Sequence, residues 1–205
     1  MKKFLFIFIS ACLLVGMPSC KRAMKNALNQ ITNTAGVDGS KDISDIKTLN
    51  EVKETLLSKC DNKAMAVYEV YLHEDEECTG KGQMYTVSLI NADKTQGYAQ
   101  IFFFNGEVGE LSDSSLLSDV TPLDLNALDM NLIAKGIEDA KSQIPEGYTF
   151  KTVRNISIND GVSQLTMALT KDGEETITNA GQTSEVYYDA KFDIDNATGK
   201  ATDKN

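Results

Sequence analysis

The chain has 205 residues, with 20 Lys and Arg against 30 Asp and Glu, and a formal net charge of −10. So acidic a chain is poorly suited to nucleic acid, where Lys and Arg must neutralise phosphates. Its one histidine, His73, would have to serve any Ser-His-Asp or Cys-His catalytic arrangement, and no glycine-rich phosphate loop or Gly-x-Ser-x-Gly elbow is present.

The first twenty residues have the pattern of an export signal. Two lysines precede a run of twelve mostly apolar residues, 4–15, which is too short to span a membrane as a helix. A Met-Pro-Ser segment, 17–19, then precedes Cys20, and its bulky methionine stands where an ordinary secretory signal has a small residue. A plain secretory signal and an N-terminal anchor are the alternatives.

This pattern resembles a bacterial lipoprotein signal, in which the cysteine is acylated and becomes the first residue of the mature chain. The resemblance implies that residues 1–19 are removed and that lipid on Cys20 holds the protein on a membrane, since two or three acyl chains bind far more firmly than one. Lys21 follows the cysteine where an aspartate retains many lipoproteins at the inner membrane. By this resemblance we expect an outer-membrane lipoprotein of the cell envelope. Residues 21–26 contain no acid of the kind that directs some lipoproteins to the cell surface, so we expect it to face the periplasm.

The remaining cysteines form one pair. Cys12 would leave with the signal, so only Cys60 and Cys78 would stay unmodified, in a compartment that permits disulfides. A disulfide between them would stabilise the fold by about 3 kcal/mol in the chain-entropy view. Two buried free thiols are the alternative.

Residues 20–41 are expected to form the lipidated cysteine and a flexible tether, followed by a globular domain of residues 42–205. An amphipathic helix is predicted first, ending near Cys60. Thr48 and Glu51 have the spacing of a capping box. Four apolar side chains recur at intervals of three and four and would share one helical face: Ile46, Leu49, Val52 and Leu56.

Three strands are predicted after this helix because β-branched and aromatic residues alternate roughly with polar ones. They cover residues 64–72, 84–90 and 98–104. The dipeptide Asn105-Gly106 favours a tight hairpin turn, so residues 106–111 are predicted to be a short fourth strand.

The same order then returns after a connector, residues 112–122. A helix is predicted over residues 125–144, and Pro145 and Gly147 would end it. Its buried face would comprise Leu125, Leu128, Leu132, Ile133, Ile137, Ala140 and Ile144. Further strands are predicted at residues 148–158, 162–170, 175–178 and 185–194.

A helix followed by an antiparallel meander thus occurs twice, in residues of about 42–111 and 122–200. We predict an α+β fold in which these tandem helix-plus-meander repeats form one antiparallel sheet of seven or eight strands, with two helices on one face. The other face would be solvated or would be a binding surface.

The segment 187–200, YYDAKFDIDNATGK, is similar to the closing hairpin of PepSY-type domains. The tandem layout of residues 42–200 resembles that of beta-lactamase-inhibitor-like proteins. The resemblance implies a non-enzymatic envelope module that binds another protein, for example a peptidase, and it brings no catalytic residue, cofactor or metal. A lipoprotein that carries a small ligand or glycan in a pocket between helices and sheet is the alternative.

Two clusters could carry chemistry of their own. Residues 73–78, HEDEEC, could supply metal ligands, but adjacent residues on an extended chain point alternately to opposite sides, so a solvated acidic loop is favoured. Glu69 and Glu110 could act as the paired carboxylates of a glycosidase. With 30 acids in the chain such a pair carries little weight, so we expect neither an enzyme nor a metal site.

Aromatic residues lie on most of the predicted strands. If some faced the solvated side of the sheet, they would form a stripe suited to protein or glycan contact. The alternative is that they belong to the core or to cross-strand pairs. They are Tyr68, Tyr71, Tyr98, Phe102, Phe104, Tyr187 and Phe192.

Overall fold

The computed structural model describes residues 39–60, 64–115, 120–179 and 182–204. The predicted signal peptide, Cys20 and most of the predicted tether lie outside these residues. Within them, helix α1 spans Ile46–Lys59 and helix α2 spans Met130–Ser142. In the ranges described, no helix is both long enough and apolar enough to cross a membrane.

Eight of the strands form a single antiparallel sheet, which confirms the predicted combination of helices with a large antiparallel sheet. Its order is β12-β11-β8-β7-β2-β4-β5-β6, while β1 with β3 and β9 with β10 form two small separate sheets. The bounds are β1 Lys41–Asp42, β2 Met65–His73, β3 Lys81–Gly82, β4 Met84–Asn91, β5 Gly97–Phe103, β6 Ser112–Ser114, β7 Tyr148–Asn159, β8 Val162–Lys171, β9 Thr176–Asn179, β10 Gln182–Glu185, β11 Tyr188–Asp195 and β12 Lys200–Asp203.

Helix α1 begins earlier than the capping-box prediction. The carboxylate of Asp45 accepts a hydrogen bond from the backbone N–H of Lys47 at 3.1 Å, so Asp45 is the N-cap. Thr48 lies inside the first turn and is buried, and its predicted role as a cap is wrong. The predicted apolar face is confirmed, since the side chains of Leu49, Val52 and Leu56 are buried.

Helix α2 begins later than predicted. Leu125 and Leu128 are buried, but they lie in a turn that precedes the helix. The Asp124 carboxylate accepts from the backbone N–H of Asn126, and the helix starts only where Asp129 accepts from Asn131 at 2.9 Å. The two aspartates therefore divide one apolar run into a turn and a helix, because each satisfies backbone donors locally.

Helix α2 packs directly on the last two strands. A Cβ atom at Gly136 would lie 2.3 Å from Cγ2 of Ile194, so only glycine permits this approach. The carboxylate of Asp139 accepts from the backbone N–H of Ala201 at 2.8 Å, and the side-chain amide of Gln143 donates to the carbonyl of the same residue. Hydrogen bonds therefore link helix α2 to β12, an edge strand of the sheet.

The turn between β11 and β12 is held by Asp195. One oxygen of its carboxylate accepts hydrogen bonds from the backbone N–H groups of Ala197 and Thr198 and from the Thr198 hydroxyl. Gly199 completes the turn with a φ of +64°, a left-handed conformation that glycine adopts without strain. Lys135 of α2 donates to the Thr198 carbonyl at 3.0 Å, so the helix also supports this turn.

Strands β2, β4 and β5 lie within two residues of their predicted ends, but the predicted fourth strand is displaced. After the turn at Gly106, only an isolated bridge joins Val108 to Phe102, and the ladder resumes at β6. The side-chain amide of Gln100 donates to the Gly109 carbonyl at 3.0 Å. The Gln100 side chain thus occupies the Gly109 carbonyl, which in a continuous ladder would accept a backbone N–H.

The predicted strand 185–194 corresponds to β11, which begins three residues later at Tyr188, while Glu185 is the last residue of β10 in a different sheet. β10 pairs with β9 in a separate hairpin, and the chain then passes through Val186 and Tyr187 before β11 joins the main sheet beside β8.

One core lies between the helices and one face of the sheet. Val70 on β2 stands opposite Val87 on β4 and Ile158 on β7, and all three are fully buried. Buried side chains of both helices belong to the same cluster, and the helices contact each other. The side chains that alternate with these core residues along the strands point to the opposite face of the sheet.

Candidate functional site

The face of the sheet that points away from this core is mostly polar. Residues directly opposite each other in an antiparallel ladder share a face, so the register defines its members. We call this surface the polar face; it comprises Ile101 on β5, Thr86 and Ser88 on β4, Glu69, Tyr71 and His73 on β2, Asn155, Ser157 and Asn159 on β7, Gln164 and Thr166 on β8, Lys191 and Asp193 on β11, and Thr202 on β12.

A glutamate stands at the centre of the polar face. The Glu69 carboxylate accepts hydrogen bonds from the hydroxyl of Ser157 at 2.6 Å and from that of Ser88 at 3.2 Å. Asn159 donates its side-chain amide to the Ser157 hydroxyl at 3.0 Å. The network joins three neighbouring strands, and both carboxylate oxygens of Glu69 are engaged by serine hydroxyls rather than aimed at a reacting group.

Two rings stack beside this glutamate. The rings of Tyr71 and His73 lie 5.6 Å apart, centroid to centroid, with an angle of 30° between their planes. Burial raises the pKa of Tyr71, and the negative charge of Glu69 raises it further. The phenol is therefore neutral at physiological pH and offers a hydroxyl donor and acceptor next to an aromatic surface.

The aromatic residues mostly follow the alternative in which they belong to the core. Of the seven, only Tyr71 stands in a ladder pair of the polar face. Phe102 and Phe192 are buried in the core, and Tyr98 and Phe104 pack against it. These side chains lie on the helix face because the strands place them in register with other core residues, such as Phe102 opposite Tyr85.

One carboxylate on the polar face retains an unused acceptor. Asp193 pairs through one oxygen with the ammonium of Lys204 at 2.9 Å. Its other oxygen, Oδ1, is buried, with no hydrogen-bond partner among the described residues. Buried carboxylate oxygens are nearly always bonded in proteins, so this atom is an exception, but its burial means that it is not presented to a partner.

An arginine lies beside the polar face among acidic groups. The guanidinium of Arg154 bonds to Glu77 at 3.1 Å and lies 3.3 Å from the Asp189 carboxylate. It also donates to the Cys78 sulfur at 3.4 Å. The positive charge is thus matched within the chain and is not free to bind an anion.

The acidic segment 73–78 has a structural role that its composition did not reveal. The Glu74 carboxylate accepts from the backbone N–H groups of Cys78 and Gly80, each at 2.9 Å. Asp75 accepts from the backbone N–H of Gln83 at 2.7 Å. These acids order the loop after β2. Across the described residues, no three His, Cys, Asp or Glu side chains converge as metal ligands would.

The two cysteines are both free and buried, so the disulfide between Cys60 and Cys78 is not formed in this structure. Cys60 ends helix α1 and belongs to the core on the helix side of the sheet. Cys78 contacts Arg154, whose partner Asp189 points to the other side from the buried Ala190. The sheet therefore separates the two sulfur atoms.

We expect the native protein to resist alkylation at both cysteines. Burial raises the pKa of Cys60 to about 11 and also raises the pKa of Cys78, so little thiolate is present at pH 8. In denaturant without reductant, iodoacetamide should modify both residues, as peptide mass spectrometry would show. Unmodified cysteines joined in one cross-linked peptide would contradict the structure.

The structure does not bring together the residues of the other predicted sites. Glu69 lies on β2, whereas Glu110 is exposed in the segment that precedes β6, with β4 and β5 between them. The pair therefore does not form the facing carboxylates of a glycosidase. A ligand pocket between helices and sheet is also unfavourable at α2, where Gly136 and Ile194 are in direct contact.

Several residues of the polar face were not singled out from the sequence. Asn155, Ser157 and Asn159 alternate along β7 with buried apolar residues such as Ile156 and Ile158. This period of two is the signal that could have identified a polar face opposite the core.

The chain was also compared with known proteins. No protein-family model matches it. A search of curated proteins finds no significant match to it either.

Proposed function

We propose that this chain is a lipid-anchored, non-catalytic lipoprotein of the cell envelope whose globular domain binds another protein through the polar face. The observation that carries the proposal is the polar face itself, where hydroxyl, amide and aromatic groups stand outside the core. Both oxygens of its central Glu69 carboxylate accept hydrogen bonds from serine hydroxyls, which supports a binding role over a catalytic one.

The extent of the polar face favours a protein as its partner. One row of paired residues runs across seven strands, from Ile101 on β5 to Thr202 on β12. At about 4.8 Å between strands this row spans roughly 29 Å. A surface of that width suits an interface that buries about 800 Å² on each partner, whereas small ligands bind in concave pockets.

We also infer that the domain consists of tandem copies of one helix-plus-meander unit. In each half a helix is followed by strands that run outward in order from the centre, β2-β4-β5-β6 on one side and β7-β8-β11-β12 on the other. This arrangement supports the likeness to PepSY-like and beta-lactamase-inhibitor-like proteins that the hairpin at residues 187–200 suggested.

The lipid anchor is tested by the variant Cys20→Ala. Because acyl chains on Cys20 would supply the membrane affinity, we expect the variant to lose both its acyl mass and its membrane fraction. Intact-protein mass spectrometry and fractionation measure the two. A variant that stays acylated and membrane-bound would refute the proposed anchor.

Protein binding is tested by site-specific photocrosslinking in native membranes. A photoreactive amino acid at Gln164, an exposed position of the polar face, should crosslink to one discrete partner. The same amino acid at Glu138, which is exposed on helix α2, is the matched control and should give none. Equal crosslinking at both positions, or none at Gln164, would count against the polar face.

A further inference from the structure

The hairpin of β9 and β10 has no core of its own. The side chains of all eight residues in the two strands are exposed. Ile177 is 57 % exposed, more than any other large hydrophobic residue in the described part of the chain. An isolated two-stranded hairpin is only marginally stable in water, so contacts within the described residues do not explain why this one is present.

The outer edge of β9 carries backbone groups that pair with no other strand in the described part of the chain. The backbone N–H of Val186 donates to the carbonyl of Glu175 at 2.9 Å, which makes these two residues a hydrogen-bonded pair. Bonded and non-bonded pairs alternate along an antiparallel ladder, so Ile177 and Asn179 face β10. The N–H and C=O groups of Thr176 and Thr178 therefore point outward.

This edge is as short as β12, but it lacks the charges that both edge strands of the main sheet carry. Edge strands usually avoid pairing with other chains by being short or by carrying charges and proline. β6 has three residues including Asp113, and β12 carries Lys200 and Asp203. β9 reads Thr-Ile-Thr-Asn, which is neutral and rich in β-branched residues.

Acidic groups surround the base of the hairpin. Four acids are exposed there, and within the described ranges only Glu174 has a basic partner, Lys171, at 2.5 Å. Hydrogen bonds from Lys171 and Tyr188 lower the pKa of Glu174, so its carboxylate is charged at neutral pH. A second copy of this chain would bring the same negative charges together, whereas a basic segment would be attracted. The acids are Asp172, Glu174, Glu175 and Glu185.

We propose that the outer edge of β9 pairs with an extended segment of a partner protein, in which Lys or Arg residues flank a short run of β-branched residues. The segment would add a third strand to the hairpin, bonding to Thr176 and Thr178, and its basic side chains would face the acids at the base. This edge uses no residue of the polar face, so the binding does not depend on the proposed function.

Nuclear magnetic resonance titration of the isotope-labelled full chain tests this pairing. The probe is the synthetic peptide KVTVTK, and the matched control is EVTVTE, which differs only in its flanking charges. We expect KVTVTK to shift the amide signals of Thr176 and Thr178 and to slow their hydrogen exchange, and EVTVTE to bind at least about tenfold more weakly. Equal binding of the two peptides would overturn the proposed charge preference.

Two proline variants test which edge of the β9–β10 hairpin binds the peptide. Thr178→Pro removes an outward N–H from β9 and should weaken KVTVTK binding at least about tenfold, because proline is tolerated at a free edge but cannot donate there. Thr183→Pro makes the same change on the outer edge of β10 and should leave binding within about twofold. Equal effects of the two variants would refute pairing at β9, as would self-association of the chain that Thr178→Pro abolishes.

Discussion

Replacing Gly199 by alanine is expected to lower the free energy of unfolding by about 3 kcal/mol. A left-handed φ costs a residue with a Cβ atom about 1–2 kcal/mol. In addition, the new Cβ would lie 2.6 Å from the backbone carbonyl oxygen of Leu132, which belongs to helix α2 and cannot move alone. Such overpacking adds about 1–3 kcal/mol. Urea denaturation followed by circular dichroism measures the loss.

Gly173 provides the matched control for this variant. It has a φ of +77°, and a Cβ atom there would meet no atom within 4 Å. Gly173→Ala should therefore cost only the backbone strain, about 1–2 kcal/mol. Equal losses for the two variants would show that the turn between β11 and β12 can move away from α2.

Gly136→Ala is expected to destabilise the protein by about 2 kcal/mol although alanine is the better helix former. Its Cβ would lie 2.3 Å from the fully buried Ile194 side chain. The gain in helix propensity, about 1 kcal/mol, offsets only part of the cost of pushing α2 away from β11. Thermal and urea unfolding measure the net effect.

A double-mutant cycle measures the interaction between position 136 on α2 and Ile194 on β11. Ile194→Ala alone should cost about 2–5 kcal/mol because it leaves a cavity. In the Gly136→Ala background the same change should cost less by about 1–3 kcal/mol, since it also removes the clash. Additive losses would mean that Gly136 and Ile194 are not in direct contact.

The elements that follow a simple periodicity could be predicted from the sequence. The buried face of α1 and strands β2, β4, β7 and β8 were found because burial on one side selects apolar residues at helical or alternate spacing. The ends of elements depend on single polar groups. Both helix starts were misplaced because several aspartates and threonines could cap, and only the folded chain shows that Asp45 and Asp129 do so.

The candidate site was less predictable for a different reason. Its residues come from strands that are distant in the sequence, and only the order of the sheet brings Glu69 next to Ser157. The same applies to the cysteines, since spacing along the chain does not reveal that a sheet lies between Cys60 and Cys78. Composition showed many acids in the loop after β2, but not that Glu74 bonds to two backbone N–H groups there.

The position of β2 beside β7 has a consequence for how fast the chain folds. Most neighbours in the sheet are close in sequence, whereas β2 and β7 join residues such as Glu69 and Ser157, which are 88 positions apart. Closing a long loop costs more chain entropy than closing the local hairpins, and non-local pairing slows folding. Each half can thus begin to form its meander independently, and the docking of β2 on β7 would then be the rate-limiting step.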